Sequence, residues 1–152
     1  MPLDNDFWHY ACTLYSLPKV ADNLLILQDE YQLDVIVLLW IAWLVKEQKK
    51  LCRDDWLGCL VVCQYWQEKI IGPLRQARRE IKQQHPALYE QAKAVELSAE
   101  RVLMAKLYQA AQHVERSDAL PITFAAMIDD YLQQTKRNLC FAAIETYLQG
   151  LK

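Results

Sequence analysis

The chain has 152 residues, a formal net charge of −2 and an apolar content of 53%. This length and apolar content predict one folded domain over residues 1–152 and exclude general disorder. The small negative charge excludes an overall basic surface for nucleic acids or anionic membranes, although it leaves a local basic patch open.

Helical periodicity and a low content of turn residues predict an all-α fold. With three glycines and five prolines, the chain has few of the residues that sheet-rich domains place in tight turns. No long stretch alternates apolar and polar residues with a period of two. We therefore expect a single-domain bundle of six to eight helices around a buried central helix. The predicted helices cover residues 7–16, 18–30, 35–45, 54–72, 73–84, 87–115, 122–134 and 136–149.

The N-terminal third contains the candidate for the central helix. Asp4 or Asp6 can cap the first helix, and Pro18 suits the first turn of the second. Residues 35–45 are apolar on all sides, which is typical of a helix surrounded by others. Asp34 precedes this segment directly and is the expected N-cap.

The second half of the chain shows clear helix boundaries. The pair Asp54 and Asp55 predicts the start of the fourth helix, and Gly72 with Pro73 predicts its end and the start of the next helix. Residues 117–121 form the clearest predicted loop.

A basic stripe is the strongest polar pattern in the sequence. At 100° per residue, Arg75, Arg78, Arg79 and Lys82 lie side by side on the fifth predicted helix. Such a row suits phosphate or an acidic partner, and we expect it to face solvent or a subunit interface. The competing interpretation, which we favour, is internal pairing with acidic residues of neighbouring helices, or simple solvation.

Two groups of acidic residues also need an interpretation. Asp29, Glu30 and Asp34 could hold a divalent metal, as in aspartate-rich prenyl-transfer sites. The competing interpretation, which we favour, is a helix end followed by an N-cap. Glu96 and Glu100 are one turn apart, and a solvated helix face is their favoured interpretation.

The remaining sequence features predict a cytoplasmic protein without a cofactor. The longest apolar run has eleven residues, which is too short to span a bilayer, and the first residues lack a secretory leader. The five cysteines form no C-x-x-C pair and suit reduced thiols in a reducing compartment. No catalytic motif, zinc spacing or phosphate-binding glycine loop is recognisable, so we predict no cofactor and no membrane partner.

The N-terminal two-thirds of the chain resembles a small family of uncharacterised proteobacterial proteins. The residues that carry the resemblance are Phe7, Trp8, Leu14, Tyr15, Val20, Leu25, Leu27, Gln28, Asp29, Asp34, Val35, Leu38, Leu39, Trp40, Trp43, Leu44, Pro73, Leu74, Arg75, Arg78, Arg79, Glu96 and Leu97. The resemblance implies an all-helical fold and a bacterial, cytoplasmic origin. It implies no activity.

Three functional hypotheses follow from these features. The first is a non-enzymatic interaction, adaptor or regulatory protein that docks a protein partner on the basic stripe, with homo-oligomerisation left open. The second is nucleic-acid or ribonucleoprotein binding through the same stripe. The third is a metal-dependent enzyme for a phosphorylated or diphosphate substrate. It requires the metal candidates Asp29, Glu30 and Asp34 to share a cleft with the arginines.

Overall fold

The computed structural model describes residues 1–118 and 121–152, and the described residues confirm the all-α fold. They contain seven α-helices of ten residues or more, one single-turn α-helix, and no strand. The α-helices are α1 (Asp6–Tyr15), α2 (Val20–Tyr31), α3 (Val35–Lys46), α4 (Arg53–Trp66), α5 (Gly72–Gln84), α6 (Tyr89–Ala110), α7 (Phe124–Gln134) and α8 (Phe141–Ile144). A π-helix spans Gln67–Ile71, and two 3₁₀-helices span Pro86–Leu88 and Glu145–Leu151. The predicted loop at 117–121 includes residues 119 and 120, which lie outside the described residues.

Helix α3 is the predicted central helix. Nine consecutive residues, 36–44, are buried, and α1, α2, α6 and α7 all pack against them. The predicted N-cap is also confirmed, because Asp34 Oδ1 accepts hydrogen bonds from the backbone N–H of Ile36 (2.9 Å) and of Val37 (3.4 Å). Burial of large apolar side chains on all sides of α3 contributes about 1.5–3 kcal/mol for each side chain.

The predicted helix break at Gly72 and Pro73 is wrong, because residues 53–84 form one continuous helix. A π-helix at Gln67–Ile71 joins α4 to α5, and the backbone N–H of Gly72 donates to the carbonyl of Gln67. The wider π-turn accommodates a proline that would clash inside a regular helix. Gly72 is required at this point, since an added Cβ would lie 2.4 Å from the carbonyl oxygen of Gln67.

Two predicted helix starts near the N-terminus are also corrected. Asn5 caps α1 instead of Asp4 or Asp6: its Oδ1 accepts from Trp8 N (2.9 Å), and its Nδ2 donates to the carbonyl of Pro2 (3.1 Å). An aspartate could make the first bond but not the second. Pro18 lies in the turn before α2, which begins at Val20 after a left-handed residue, Lys19, with φ 66°.

Two later boundaries also differ, one through a local capping box and one at a contact with a distant side chain. Helix α4 begins at Arg53, and Cys52 and Asp55 form its capping box. Helix α6 ends at Ala110 instead of residue 115, and Lys49 Nζ donates to the carbonyl of the next residue, Ala111 (2.8 Å).

The predicted C-terminal helix at 136–149 is replaced by α8 and a 3₁₀-helix. Lys136 is left-handed, with φ 53°, and Arg137 donates to the carbonyls of Tyr31 (3.1 Å) and Gln32 (2.5 Å) at the end of α2. These contacts place the chain against α2 and prevent a helix from continuing out of α7.

The hairpin of α5 and α6 creates the space that is relevant to function. Helix α5 has no buried residue, whereas the C-terminal half of α6 is buried against the bundle. The α5 side of the hairpin therefore borders a cavity instead of the core. In the described residues, no helix is both long and apolar enough to cross a bilayer.

Candidate functional site: a charged cavity beside the α5–α6 hairpin

A cavity of about 630 Å³ lies between the α5–α6 hairpin and helices α1, α2 and α3. We call it the charged cavity, since its wall includes Asp34, Arg75, Arg78, Arg79, Lys93, Glu96 and Glu100. Its size lies within the range of small-molecule sites, which is about 300–1,000 Å³.

The floor of the charged cavity is apolar. Ala11, Ile36, Leu39 and Met104 line it and are almost completely buried. These residues belong to α1, α3 and α6, so the same packing that forms the core also forms the floor. Apolar walls with a few convergent polar groups are typical of ligand sites in helical bundles.

The side wall contains a network of ion pairs between α5 and α6. Arg75 Nε lies 3.1 Å from Glu96 Oε1, and Arg75 Nη2 lies 3.3 Å from Glu100 Oε1. Arg78 Nε also pairs with Glu96, through Oε2. The Glu96 carboxylate is buried and therefore needs both guanidinium partners to balance its loss of hydration.

Asp34 lies at the inner end of the same wall. Its pKa is raised, because burial outweighs the stabilising effects of the Val37 and Ile36 N–H groups, the Gln67 side chain and the Arg75 charge. The pKa of Glu100 is also raised, first by burial and then by the charge of Glu96, with a smaller contribution from Asp34. Three carboxylates therefore crowd the inner end of the charged cavity.

The mouth of the charged cavity has a different character. Arg79 and Lys93 are exposed, and neither forms an ion pair with any described residue. Exposed apolar residues, Tyr15, Leu25 and Leu97, lie on the same rim. The opening thus combines two cations with apolar surface.

The π-helix positions Gln67 and Arg75 in the wall of the charged cavity. Gln67, its first residue, lines the charged cavity, and Arg75 follows on the first turns of α5. An extra residue per turn rotates every later residue of the helix, which sets the face on which Arg75 and Arg78 lie. π-helical segments of this kind are often found at functional sites.

A second cavity, of about 800 Å³, shares Gln28, Asp34, Gln67 and Arg75 with the first. Glutamines are frequent in its wall, so we call it the glutamine-rich cavity. Its remaining glutamines are Gln32, Gln64 and Gln134. Asp34 and Gln67 therefore lie where the two spaces meet.

The structure separates the predicted basic stripe into two parts. Arg75 and Arg78 are partly buried and paired with α6, so the expectation that they face solvent or a subunit interface is wrong, and the internal-pairing interpretation describes them correctly. Arg79 is exposed at the mouth of the charged cavity. Lys82 is exposed and lies outside that cavity, with its Nζ 5.1 Å from the centre of the Tyr89 ring.

The predicted metal candidates are not brought together. Asp34 lines both cavities, whereas Asp29 and Glu30 are exposed and line neither of them. Within residues 1–118 and 121–152, no group of three His, Cys, Asp or Glu side chains is arranged to hold a metal ion.

Glu96 and Glu100 belong to the site, although the sequence pattern does not identify them as site residues. Their interpretation as a solvated face is wrong, since Glu96 is buried and Glu100 is partly buried. A signal was present: two glutamates one turn apart follow two arginines about one turn apart after a short break at residue 85. An antiparallel hairpin places such pairs opposite each other.

One family model, described as a protein of unknown function (DUF2390), matches residues 6–107. Neither a curated protein nor a solved structure matches the chain. All residues that line the charged cavity lie within the matched segment, from Trp8 to Met104. The chain belongs to the family of proteins of unknown function DUF2390.

Proposed function

We propose that this protein is a regulatory protein that binds a small amphipathic organic anion in the charged cavity. The observation that supports this proposal is the combination of an apolar floor with two exposed, unpaired cations at the mouth. An amphipathic ligand matches both parts of the cavity at once.

The apolar part of the ligand would lie on the floor formed by Ala11, Ile36, Leu39 and Met104. Binding would remove apolar surface of both molecules from water, which stabilises the complex by about 25 cal/mol for each Å². Exposed Leu25 and Leu97 on the rim would extend this contact. Exposed apolar residues around a concave opening are typical of a ligand site.

The anionic group would bind at Arg79 and Lys93. Arg75 and Arg78 already pair with Glu96 and Glu100, so the cations of the mouth are the ones available to a ligand. A guanidinium can bind a carboxylate or phosphate through two parallel hydrogen bonds.

The same pairing weakens the case for the basic stripe as a docking surface. A protein partner or a nucleic acid would meet Arg79 and Lys82, but Arg75 and Arg78 would first have to leave their glutamates. Their departure would leave the buried Glu96 carboxylate without the charges that balance its loss of hydration. We therefore propose that any protein partner responds to the ligand-bound state instead of binding along the stripe.

The proposal can be tested with octanoate, decanoate and dodecanoate as probes. Binding is measured by isothermal titration calorimetry and by tryptophan fluorescence, because Trp8 lines the charged cavity whereas Trp40, Trp43 and Trp56 are buried in the core. We expect saturable binding that strengthens with chain length, as burial of each further methylene contributes about 0.8 kcal/mol.

Two exposed residues of α6 provide a matched pair of variants. Leu97 and Val95 are 49% and 53% exposed, but only Leu97 lines the charged cavity. Leu97→Glu should weaken decanoate binding at least tenfold, and Val95→Glu should leave it unchanged. Equal affinities of the two variants, or no binding of any of the three probes by the wild type, would overturn the proposal.

A second pair of variants tests the cations. Changing both Arg79 and Lys93 to Gln should weaken binding of the anions at least tenfold. Lys82→Gln is the control, since Lys82 lies on the same helix as Arg79 but outside the charged cavity. If the control weakens binding as much as the double variant, the anion does not bind at the mouth.

A further inference from the structure

The charged cavity has opposite charges at its two ends. The inner end contains two arginines and three carboxylates, with a net charge of −1 when all are ionised. These residues are Arg75, Arg78, Asp34, Glu96 and Glu100. The mouth contains Arg79 and Lys93, a balance of +2. The two ends follow one another along a single wall, because Arg75 and Arg79 are one turn apart on α5, or about 6 Å.

We propose that the ligand is bipolar, with an ammonium group that binds Asp34 at the inner end and an anionic group that binds Arg79 and Lys93 at the mouth. This inference rests on the proposed function, since it concerns the same cavity and names the class of ligand: an ω-amino acid or another molecule in which an apolar body separates an amine from an anion.

Asp34 is the inner carboxylate that has capacity for the ammonium. Glu96 accepts from both arginines and Glu100 accepts from Arg75, so their charges are balanced by protein groups. Asp34 accepts two backbone N–H bonds, both through Oδ1, and a hydrogen bond from the Gln67 side chain. A carboxylate offers about four acceptor positions, so an ammonium group can still bind.

The crowding of the carboxylates gives an ammonium group a further advantage. Burial raises the pKa of both Asp34 and Glu100, and the charges of Glu96 and Asp34 raise the pKa of Glu100 further, so the inner end disfavours its own negative charge. A cation placed among these carboxylates reduces the repulsion. A neutral methyl group in the same position would leave the repulsion in place.

Three probes with eight carbons each distinguish the bipolar ligand from simpler ones: 8-aminooctanoate, octanoate and octylamine. Calorimetry with the wild type should show that 8-aminooctanoate binds at least tenfold more tightly than either of the other two. A series of ω-aminoalkanoates with six to twelve carbons should show one best length, because both ends of the ligand have fixed partners.

The decisive variant is Asp34→Asn. Asparagine caps a helix as well as aspartate does, so the start of α3 should be preserved while the charge is lost. In this variant the preference for 8-aminooctanoate over octanoate should fall at least tenfold, and octanoate should bind no more weakly than to the wild type. Glu100→Gln, which also makes the inner end neutral, is a second variant that should reduce the preference even if Asp34→Asn does not fold.

The outcomes separate this inference from the proposed function. If octanoate binds as tightly as 8-aminooctanoate and depends on Leu97, the bipolar ligand is overturned and the proposed function stands. If the preference exists but survives both variants, the ammonium does not bind the inner carboxylates, and the inference is equally overturned. If none of the probes binds, both proposals are wrong.

Discussion

The two halves of the long helix at residues 53–84 are held in place by different interactions. The first half, α4, packs Trp56, Cys59 and Cys63 into the core. The second half, α5, has no buried residue and is held mainly through charged side chains. Arg75 and Arg78 pair with α6, and Lys82 lies over the ring of Tyr89.

This difference shows how one helix can contribute both to the fold and to a site. Apolar burial is non-directional and strong, so α4 is fixed mainly by its buried face. Ion pairs need partners at particular distances, and they fix α5 only where the glutamates of α6 lie opposite its arginines. Because α5 has no apolar face in the core, its charged face remains beside the charged cavity.

The largest expected change in the free energy of unfolding comes from a substitution in α4, the half of the long helix that packs into the core. Trp56 is 2% exposed and packs against the rings of Trp40 and Tyr131, with ring centres 6.2 Å apart in both pairs. Trp56→Ala should lower the free energy of unfolding by about 3–5 kcal/mol, because a large cavity replaces the ring. Urea unfolding measures this change. Val61→Ala, at an exposed position of the same helix, should cost less than about 0.5 kcal/mol. A similar loss in both variants would mean that α4 is not fixed by its buried face.

The next largest change in stability should come from the ion pairs that hold α5, the half of the long helix beside the charged cavity. Glu96→Gln keeps the shape of the side chain but removes the charge that balances Arg75 and Arg78. The expected loss is about 2 kcal/mol in the free energy of unfolding, which is smaller than for a fully buried pair since both arginines retain some contact with water. Amide hydrogen exchange should become faster in α5 and remain slow in α4. Glu90→Gln, at an exposed position of α6, is the control. Unchanged exchange in α5 would show that these ion pairs do not hold it.

Alanine substitutions at two glycines of the long helix should have opposite effects on the free energy of unfolding. Gly58 lies in α4 with no atom within 4 Å of an added Cβ, whereas the Cβ of an alanine at position 72 would meet the carbonyl oxygen of Gln67. Gly58→Ala should raise the free energy of unfolding by about 0.5–1 kcal/mol, and Gly72→Ala should lower it by about 1–3 kcal/mol. Thermal and urea unfolding of both variants test this. If both substitutions stabilise the protein, the π-turn is not required.

The smallest effect is a difference in the pH dependence of stability between Asp55, in the first turn of α4, and Asp34, which lines the charged cavity with Arg75 of α5. The pKa of Asp55, at the start of α4, is lowered by hydrogen bonds from Cys52 and His113. Its contribution to stability is therefore present above about pH 4 and is lost as the pH falls through the lowered pKa. The pKa of Asp34 is raised by burial, so its contribution is present below about pH 4 and is lost as the pH rises through the raised pKa.

Asparagine substitutions at Asp55 and Asp34 should change the pH dependence of stability in opposite directions. As the pH rises from 3 to 7, Asp55→Asn should lose stability relative to the wild type, and Asp34→Asn should gain it. Urea unfolding at several pH values measures both differences. Differences of the same sign in the two variants would contradict the assignment of opposite environments.

Three of the structural features described above could be predicted from the sequence: the central helix, its N-cap and the shared face of the basic residues. The apolar segment at 35–45 identifies the central helix, because only a helix surrounded by others can bury apolar residues on all sides. The position of Asp34 directly before that segment predicts its role as the N-cap. The face shared by Arg75, Arg78, Arg79 and Lys82 follows from helical geometry.

Other parts could not be predicted, because they depend on which helices are neighbours. Gly72 and Pro73 are a common helix boundary, and the structure continues through them as a π-turn packed against α6. Glu96 and Glu100 are ordinary surface residues in a single helix, and they become part of a site only when α5 lies opposite them. The C-terminal segment after Lys136 is placed by contacts of Arg137 with α2, which local sequence does not encode.

The sequence by itself determined the all-α class, the buried central helix and the amphipathic faces of the others, since these depend on periodicity and on local capping. The tertiary structure alone decided that Asp34, Arg75, Arg78, Glu96 and Glu100 share one wall of a cavity. It also decided that Asp29 and Glu30 lie outside that cavity. The physical reason is that charge–charge distances, and the burial that shifts the pKa of a carboxylate, are properties of the packing between helices and not of any one helix.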